Sequence, residues 1–345
     1  MQKSIKIIIA LLFIIFTSSC LKQKKVFNAV RDGNESYVKT YISDGNNLNV
    51  LDSTDSNLLM YAAGHGYLSI VKMLVESGIN INNSNYQKRN ALMNAINFNH
   101  VEVVKYLLEK GADVNSEDYL SWTPLMIVSL RSNLEIAVEL LKYKAQLNKQ
   151  NSMGMTSAMI ATMAQSDTIL ALLIKLNADL NIKDNLGETA LIKAIYKSNI
   201  EAVEMLVKAK VNLNIKNNEG RTATIIASKK GQIESLQYLI SNKADLNVQD
   251  DIGNTSLIWA INMGEINVIK LLVQAGASLD LQDKKGETAI MKAVLQGNQE
   301  IISVLLSKKS NLTLRDKEGN TALSHSMNSS QGEITNLLKK AGAKN

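Results

Sequence analysis

The chain is poor in the residues from which redox and metal centres are usually built. Its 345 residues include one cysteine, three histidines and one proline. A single cysteine excludes an intramolecular disulfide and any zinc or iron–sulfur site made from several thiolates. A metal centre would have to rest mainly on carboxylates, so we expect neither a metal nor a cofactor.

Charge and motif content exclude further classes of function. Lysine and arginine number 38 against 32 acidic residues, so the net charge is only +6 and predicts no nucleic-acid partner. The hydrophobic share of 46% is enough for a buried core and argues against disorder. The sequence contains no Gly-x-x-x-x-Gly-Lys, His-Glu-x-x-His or Gly-x-Ser-x-Gly motif. We therefore expect a protein that is not an enzyme and has no small-molecule substrate.

The first nineteen residues have the pattern of a secretory signal peptide. Lys3 and Lys6 precede an apolar run over residues 7–16, and three small residues follow it. A basic start, a short apolar run and small residues before a cleavage point define such a leader. The run is too short for a bilayer span, which takes about 20 apolar residues. We predict that residues 1–19 are removed.

The three small residues lead directly to Cys20, the single cysteine of the chain. This arrangement resembles the lipobox of bacterial lipoproteins, although Thr17 stands where leucine is usual. The resemblance implies a lipoprotein signal peptide over residues 1–19, a lipidated tether over residues 20–25, and a membrane-anchored, extracytoplasmic protein. Leu21 is not the aspartate that retains some lipoproteins in the inner membrane, so the outer membrane is one expected location. Ordinary cleavage, which leaves Cys20 as a free terminal thiol, remains the alternative.

The rest of the chain is one unit of 33 residues repeated ten times. A small residue follows each alignment residue by three positions, and an apolar pair follows it by about fifteen. Because such units bury their apolar stripes only against their neighbours, the constant register predicts a stack of repeats. The alignment residues, from which positions are counted below, are Val26, Leu59, Leu92, Leu125, Ala158, Leu191, Thr224, Leu257, Ile290 and Leu323.

Each unit is predicted to contain two helices joined by a short turn and followed by a loop. A helix-capping side chain recurs at position −2, where it can accept a backbone N–H hydrogen bond worth about 1 kcal/mol. These caps are Asn57, Asn90, Thr123, Thr156, Thr189, Thr222, Thr255, Thr288 and Thr321.

A left-handed residue is predicted to end the second helix of each unit. Glycine fills this place at 45, 78, 111, 276 and 342. Other units have a residue with a side chain there, and each such lysine should cost about 1 kcal/mol relative to glycine. These residues are Lys144, Asn177, Lys210, Lys243 and Lys309.

The motif Thr123-Pro124-Leu125-Met126 resembles the Thr-Pro-Leu-His start of the ankyrin repeat, whose period is also 33. Residues 111–115 (Gly-Ala-Asp-Val-Asn) and 184–189 (Asp-Asn-Leu-Gly-Glu-Thr) resemble other parts of that motif. The resemblance implies an all-α ankyrin-repeat solenoid of about ten helix-turn-helix units with β-hairpin loops, over residues 26–345. The motif histidine is missing, so we expect apolar packing in its place. The residues at that position are Met60, Met93, Met126, Met159, Ile192 and Ile225.

The resemblance further implies a protein partner that meets the hairpin tips and the exposed end of the first helices. Positions −6, −5, −3, +5 and +6 supply the expected contacts, and aromatic and arginine anchors dominate interface energetics. We predict a site centred on Trp122, although these side chains could instead pack on neighbouring hairpins. The predicted contact residues are Tyr86, Arg89, Phe98, Tyr119, Leu120, Trp122, Leu130, Arg131, Met153, Met155 and Tyr196.

Several functional hypotheses follow from these patterns. The leading hypothesis is a monomeric, membrane-anchored ankyrin lipoprotein that serves as a non-catalytic scaffold for a protein partner. Narrower or different roles are an immunity or inhibitor protein that blocks an envelope toxin or enzyme, a structural spacer, and, least favoured, an envelope hydrolase. The mixed charges of repeats seven to ten form either a solvated face or a surface that steers an anionic partner. His65, His100 and His325 fall in three different repeats, which favours structural or solvated histidines.

Overall fold

The computed structural model describes residues 21–344, and the predicted signal peptide and Cys20 lie outside that range. Every regular element within it is a helix, and no helix there has the length and apolar content that a bilayer span requires. The helices are α1 (21–31), α2 (Glu35–Ser43), α3 (Leu58–His65), α4 (Leu68–Glu76), α5 (Ala91–Asn97), α6 (Val101–Glu109), α7 (Pro124–Arg131), α8 (Leu134–Lys142), α9 (Ser157–Met163), α10 (Asp167–Lys175), α11 (Ala190–Lys197), α12 (Ile200–Lys208), α13 (Ala223–Lys229), α14 (Ile233–Ser241), α15 (Ser256–Met263), α16 (Ile266–Gln274), α17 (Ala289–Leu295), α18 (Gln299–Leu306), α19 (Ala322–Asn328) and α20 (Gly332–Lys340).

The helices are distributed over two compact units, with a boundary between residues 152 and 153. Unit 1 contains α1 to α8, which are repeats one to four, and unit 2 contains α9 to α20, which are repeats five to ten. Within each unit a first helix packs on its own second helix and on the first helices of neighbouring repeats, as α5 does on α3, α6 and α7. The predicted all-α fold of repeated helix-turn-helix units is confirmed.

The predicted helix starts are confirmed by the caps. Asn57 and Asn90 each accept a hydrogen bond of 2.9 Å from the backbone N–H three residues later. Each of the seven predicted threonine caps accepts the same bond. The expected replacement of the motif histidine is confirmed as well. All six methionine and isoleucine side chains at that position are at most 1% exposed.

The predicted left-handed helix ends are confirmed too. Gly78 and Gly111 have φ values of 85° and 90°, and Lys210 and Lys243 adopt the same region with φ values of 59° and 64°. A Cβ atom added at either glycine would meet nothing within 4 Å. The cost of a side chain at this place is therefore conformational and does not come from a clash.

A hairpin loop precedes the first helix in repeats two to ten, and repeat four illustrates how the side chain at position −7 shapes it. In repeat four, Asp118 Oδ1 accepts hydrogen bonds from the N–H groups of Leu120 and Trp122, at 2.8 and 2.9 Å. The Asp118 N–H donates to the Trp122 carbonyl at 3.0 Å and closes the turn. Within residues 21–344 these hairpins form no two-stranded ladder, and Leu51 and Asn57 make an isolated bridge. The predicted β-hairpin loops are thus single tight turns.

The second carboxylate oxygen of most hairpin aspartates accepts a bond from a side chain nine residues later, on the first helix. Asp118 is the exception, because Ile127 stands nine residues later; its Oδ2 lies 3.5 Å from Arg89 Nε. Repeats with asparagine at position −7 have Asn94, Ile160 or Ile226 nine residues later. The sequence thus matches an acceptor in the hairpin to a donor on the helix. The pairs are Asp52–Tyr61, Asp184–Lys193, Asp250–Trp259, Asp283–Lys292 and Asp316–His325.

That residues 20–25 form a lipidated tether stays a prediction, but its described part, residues 21–25, is helical and belongs to α1. The physical reason is local: Leu21, Gln23 and three lysines are good helix formers, and neither glycine nor proline interrupts them before Val26. The Gln23 amide also donates to the Leu51 carbonyl at 2.5 Å, which fastens this helical segment to the second repeat.

Replacing a left-handed lysine by glycine should stabilise unit 2. We expect Lys210→Gly and Lys243→Gly each to raise the free energy of unfolding by about 0.5–1 kcal/mol, since glycine adopts this backbone conformation without a Cβ penalty. Asn177→Gly is the matched control and should gain less, because asparagine tolerates a positive φ better than lysine. Urea denaturation followed by circular dichroism measures the three changes. If the lysine variants gain no more stability than Asn177→Gly, or if they lose stability, the conformational account is contradicted.

Candidate functional site

Three aromatic side chains of unit 1 are more exposed than buried. The exposed fractions are 72% for Tyr119, 62% for Tyr86 and 60% for Phe98. Leu120 and Leu130 are also exposed. Five of the predicted contact residues therefore present apolar surface on one unit, and we call this set the aromatic face.

Backbone and arginine contacts hold the aromatic face in place. The Tyr119 N–H donates to the Gln87 carbonyl at 2.8 Å, which joins the tip of one hairpin to the tip of the next. Arg131 donates from Nε and Nη2 to Asn97 Oδ1 at 3.2 and 2.7 Å, and so joins repeats three and four. Arg89 contacts the hairpin carboxylate of repeat four, as described above. Both predicted arginines therefore brace neighbouring repeats.

Two predicted contact residues lie deeper than expected. Trp122 is half-buried, and Met155 is 9% exposed and belongs to the core of unit 2. Both occupy position −3, where Glu188 is buried as well. The backbone N–H and carbonyl groups of Trp122 and Glu188 bond to the residue at −7. Arg89 makes the same bonds and is exposed, so the turn alone does not set the depth of a side chain at −3. Trp122 and Met155 are therefore less exposed than the sequence predicts, and their part in partner binding stays a prediction.

Met153 and Tyr196, the other predicted contacts, belong to unit 2. Met153 is exposed at a hairpin tip, and its carbonyl accepts the Asn185 N–H at 3.1 Å. Tyr196 is 37% exposed at the end of α11. Met153 and Tyr196 are therefore not part of the aromatic face, which belongs to unit 1.

The hairpins that carry the aromatic face are strained where those of unit 2 are relaxed. Position −4 holds Asp55, Lys88 and Ser121 in unit 1, with φ values of 59°, 56° and 57°. In unit 2 the same place is glycine at residues 154, 187, 220, 253, 286 and 319. A left-handed side chain costs about 1–2 kcal/mol, and retained backbone strain is concentrated at functional sites. The backbone strain therefore indicates that the hairpin tips of unit 1 are a candidate functional site.

A cavity of about 400 Å³ opens beside Phe98, between α3 and α5. It exists because repeat two has Gly64 at position +5, where every other repeat carries a side chain. A Cβ atom at Gly64 would lie 3.7 Å from Asn94 Cβ and 3.9 Å from the Phe98 ring, which is ordinary contact. Sequence reasoning missed this feature, although the lone glycine at +5 was a usable signal. The lining residues are Ser56, Met60, Tyr61, Gly64, His65, Asn94 and Phe98.

Tyr61 forms one wall of the cavity and is fixed by the hairpin of its own repeat. Its hydroxyl donates to Asp52 Oδ2 at 2.6 Å, and its ring meets Phe27 edge-on with centroids 5.3 Å apart. Burial opposes ionisation of Asp52, but hydrogen bonds from Tyr61, Thr54 and Ser56 outweigh it and lower the Asp52 pKa. The bond to Asp52 is the largest cause of the raised Tyr61 pKa. The pair is therefore a carboxylate that accepts from a neutral phenol at neutral pH.

The three histidines lie in separate repeats, and each has an oxygen atom within hydrogen-bond distance of its ring. His65 Nδ1 lies 2.9 Å from the Tyr61 carbonyl, and His100 Nε2 lies 3.0 Å from the Gly64 carbonyl. His325 Nε2 lies 2.6 Å from Asp316 Oδ2. Between residues 21 and 344, no group of three or more histidine, cysteine, aspartate or glutamate side chains is arranged to hold a metal ion. These contacts give each histidine a structural role.

Acid should weaken the contact between Asp52 and Tyr61. A carboxyl group whose folded pKa lies below its unfolded value of about 3.9 stabilises the fold above that value, and the contribution is lost as pH falls through the folded pKa. We expect Asp52→Asn to be less stable than the parent protein at pH 6, with a difference that shrinks below about pH 4. Urea midpoints across this range measure the difference. Asp44→Asn, at an exposed site, is the control, and a gap that stays constant down to pH 3 would contradict the pKa assignment.

Comparison with known families agrees with this architecture. The family model described as ankyrin repeats (3 copies) matches residues 26–118, 119–184, 168–250, 210–283 and 257–345. No curated protein shows a significant match to the chain. Ankyrin repeats are protein–protein interaction scaffolds and are generally non-catalytic. The chain belongs to the ankyrin repeat family.

Proposed function

We propose that the protein is a membrane-anchored, non-catalytic scaffold that captures a protein partner through the aromatic face of unit 1. The observation that carries this proposal is the exposure of Tyr86, Phe98 and Tyr119, three large aromatic side chains, on neighbouring repeats. Contiguous exposed apolar surface on a soluble domain marks a contact site. Tyrosine adds a polar tip to a rigid ring, so it contributes contact area at low entropic cost.

The cavity beside Phe98 supports a partner with a protruding apolar side chain. Its lining combines the side chains of Met60, Tyr61 and Phe98 with the polar side chains of Ser56, His65 and Asn94. Well-packed, desolvated pockets of this kind bind the anchor residues that dominate interface energetics. The preferred contact is therefore a partner segment that places one bulky apolar residue at Gly64 and rests against Tyr86 and Tyr119.

Membrane anchoring is proposed from the sequence that precedes the first repeat. The basic start, the short apolar run and the small residues before Cys20 support cleavage and lipidation there. A cysteine carrying two or more acyl chains is enough for stable anchoring, whereas a single chain is not. Lys22, Lys24 and Lys25 are exposed on α1. Each lysine would add about 1 kcal/mol of attraction to an anionic lipid surface.

A photo-crosslinking amino acid at Tyr119 should trap the partner in cells. We expect the Tyr119 probe to give a discrete crosslinked protein and the same probe at Tyr143 to give none. Tyr143 is the matched site, since it is an exposed tyrosine of unit 1 that follows the second helix α8. Mass spectrometry of the adduct identifies the partner. Equal crosslinking from both sites would contradict the assignment of the aromatic face.

Substitutions then test whether the trapped contact contributes to the free energy of binding. The pair Phe98→Ala and Tyr119→Ala should weaken binding of that partner at least about a hundredfold, because hot-spot aromatics contribute 2 kcal/mol or more each. Gly64→Leu should also weaken binding, by filling the cavity, while Gly64→Ala and Tyr143→Ala serve as controls. Isothermal titration gives the affinities and circular dichroism checks the fold. Unimpaired binding by the folded double variant would refute the proposal.

Anchoring is tested separately by removing the cysteine. We expect Cys20→Ala to shift the protein from the membrane fraction to the soluble fraction, because no acyl chain can then be attached. Mass spectrometry of the parent protein should find Cys20 as an acylated N-terminus. Lys22→Ala keeps the cysteine and should stay in the membrane fraction. A mature protein that begins at an unmodified Cys20 would support ordinary cleavage and overturn the lipid anchor.

A further inference from the structure

We infer that unit 2 carries a second binding surface, which takes an acidic segment of a protein partner. This inference goes beyond the proposed function, because the surface lies on another unit and binds its ligand through charge, whereas the aromatic face binds through apolar contacts. The surface is formed by the ends of the first helices of repeats six and seven, the hairpin arginine of repeat seven and the tryptophan of repeat eight. We call it the basic patch, and its residues are Tyr196, Lys197, Arg221, Lys229, Lys230 and Trp259.

One half of the basic patch is built around Trp259. The indole Nε1 donates to Asp250 Oδ2 at 2.7 Å, which fixes the ring against the hairpin of its own repeat. Lys229 Nζ lies 4.3 Å from the ring centroid, and the Arg221 guanidinium carbon lies 5.0 Å from it. Both distances are within the range of cation–π attraction. Two cations of repeat seven therefore converge on one buried indole.

The other half is built around Tyr196. Lys230 Nζ donates to the Tyr196 carbonyl at 2.8 Å and lies 5.6 Å from the centroid of its ring. Lys197 follows Tyr196 directly and is exposed. Because Lys229 and Lys230 are adjacent in sequence, the two halves share repeat seven. Aromatic rings thus underlie the ammonium groups in both halves.

The lysines of the basic patch keep their charge available, unlike the lysines buried on the same row of helices. Lys193 lies on α11 between Asp184 Oδ2, at 2.6 Å, and the Glu188 carboxylate. Burial alone would lower the Lys193 pKa, but the two carboxylates raise it. The ammonium group is therefore protonated, and the two carboxylates balance its charge. In contrast, among residues 153–344 neither Lys197, Lys229 nor Lys230 forms an ion pair with a carboxylate. Three positive charges therefore remain without an acidic partner.

These cations are prepared for a carboxylate ligand. Lys229 and Lys230 are held by rings and by a backbone carbonyl, so a ligand need not break an ion pair to reach them. Pre-positioned side chains also lose less entropy on binding. A charge-assisted hydrogen bond from lysine to a carboxylate is about twice as strong as a neutral one. Aspartate and glutamate side chains match this surface in charge.

The acids around the basic patch favour a short acidic peptide segment over a long polyanion. Glu219 is exposed and pairs with Arg221, and Asp251 is exposed on the next hairpin. Their negative charges would repel the continuous phosphate backbone of a nucleic acid, while a peptide of a few residues can end before it reaches them. Screening confines such surface attraction to about 10 Å at 0.1 M salt, which again favours a local contact.

The test measures binding of a fluorescein-labelled octaglutamate peptide to the full mature protein by fluorescence anisotropy. We expect Lys229→Glu with Lys230→Glu to weaken binding at least about tenfold, and Lys229→Gln with Lys230→Gln to weaken it less. The matched control is Lys284→Glu with Lys285→Glu, which makes the same charge change on an exposed hairpin of unit 2. This control should change affinity by less than about twofold, because screening limits its influence at the patch.

Three results would overturn the inference: no binding of octaglutamate by the parent protein, equal losses in the patch variant and the hairpin control, or a patch-dependent binding of phosphatidylglycerol vesicles without binding of the peptide. Thermal melting by circular dichroism establishes that the variants are folded. The pair Phe98→Ala and Tyr119→Ala should bind octaglutamate normally. Failure of the aromatic face and failure of the basic patch are thereby distinguished.

Discussion

The hairpins depend on one oxygen atom each, which the side chain at position −7 supplies. In repeat six, Asp184 Oδ1 accepts the N–H groups of Leu186 and Glu188 at 2.9 and 2.8 Å. Two backbone donors that would otherwise lack a partner are satisfied by one short side chain, as in other turns that aspartate and asparagine nucleate. The residue between them, Gly187, is thereby forced into the left-handed region with φ of 73°. The same pair of bonds recurs in repeats four and eight, where Asp118 and Asp250 are the acceptors.

That constraint has different consequences in the two units. In unit 2 a Cβ atom at Gly187 would lie 2.8 Å from the Asn218 backbone nitrogen, so the hairpins there approach one another too closely for a side chain. In unit 1 Lys88 and Ser121 occupy this place with the same sign of φ. Unit 1 therefore retains strain beside Tyr86 and Tyr119, the most exposed aromatic residues between residues 21 and 344. The strained residues lie in the hairpins that carry the aromatic face, and backbone strain is often found at binding sites.

The regular parts of the fold could be predicted because they repeat, and the irregular parts could not. Caps such as Thr123 and left-handed lysines such as Lys210 follow from rules about single residues in known places. The depth of Trp122 and Met155 could not be predicted from the family's exposed positions, because the side chain at −3 is exposed at Arg89 and buried at Met155. The cavity at Gly64 exists where a side chain is missing. A sequence analysis that looks for aromatic and charged residues does not detect such a position. The fold follows from the period, while the site follows from departures from it.

Departures at only a few positions are enough to give each unit its own chemistry. Position +5 is Gly64 beside the cavity of unit 1, Tyr196 in repeat six and Lys229 in repeat seven. The helix that carries it keeps a capping side chain at −2 and buried side chains at −1, 0, +1, +3 and +4. Because a repeat contacts only its neighbours, a change at an exposed position alters one local interface and leaves the others intact. Position +2 is more restricted, since its donor must match the acceptor at −7, as Lys193 matches Asp184. Surface chemistry is therefore free to vary at +5 and −6, but at +2 it is coupled to the stability of the hairpin.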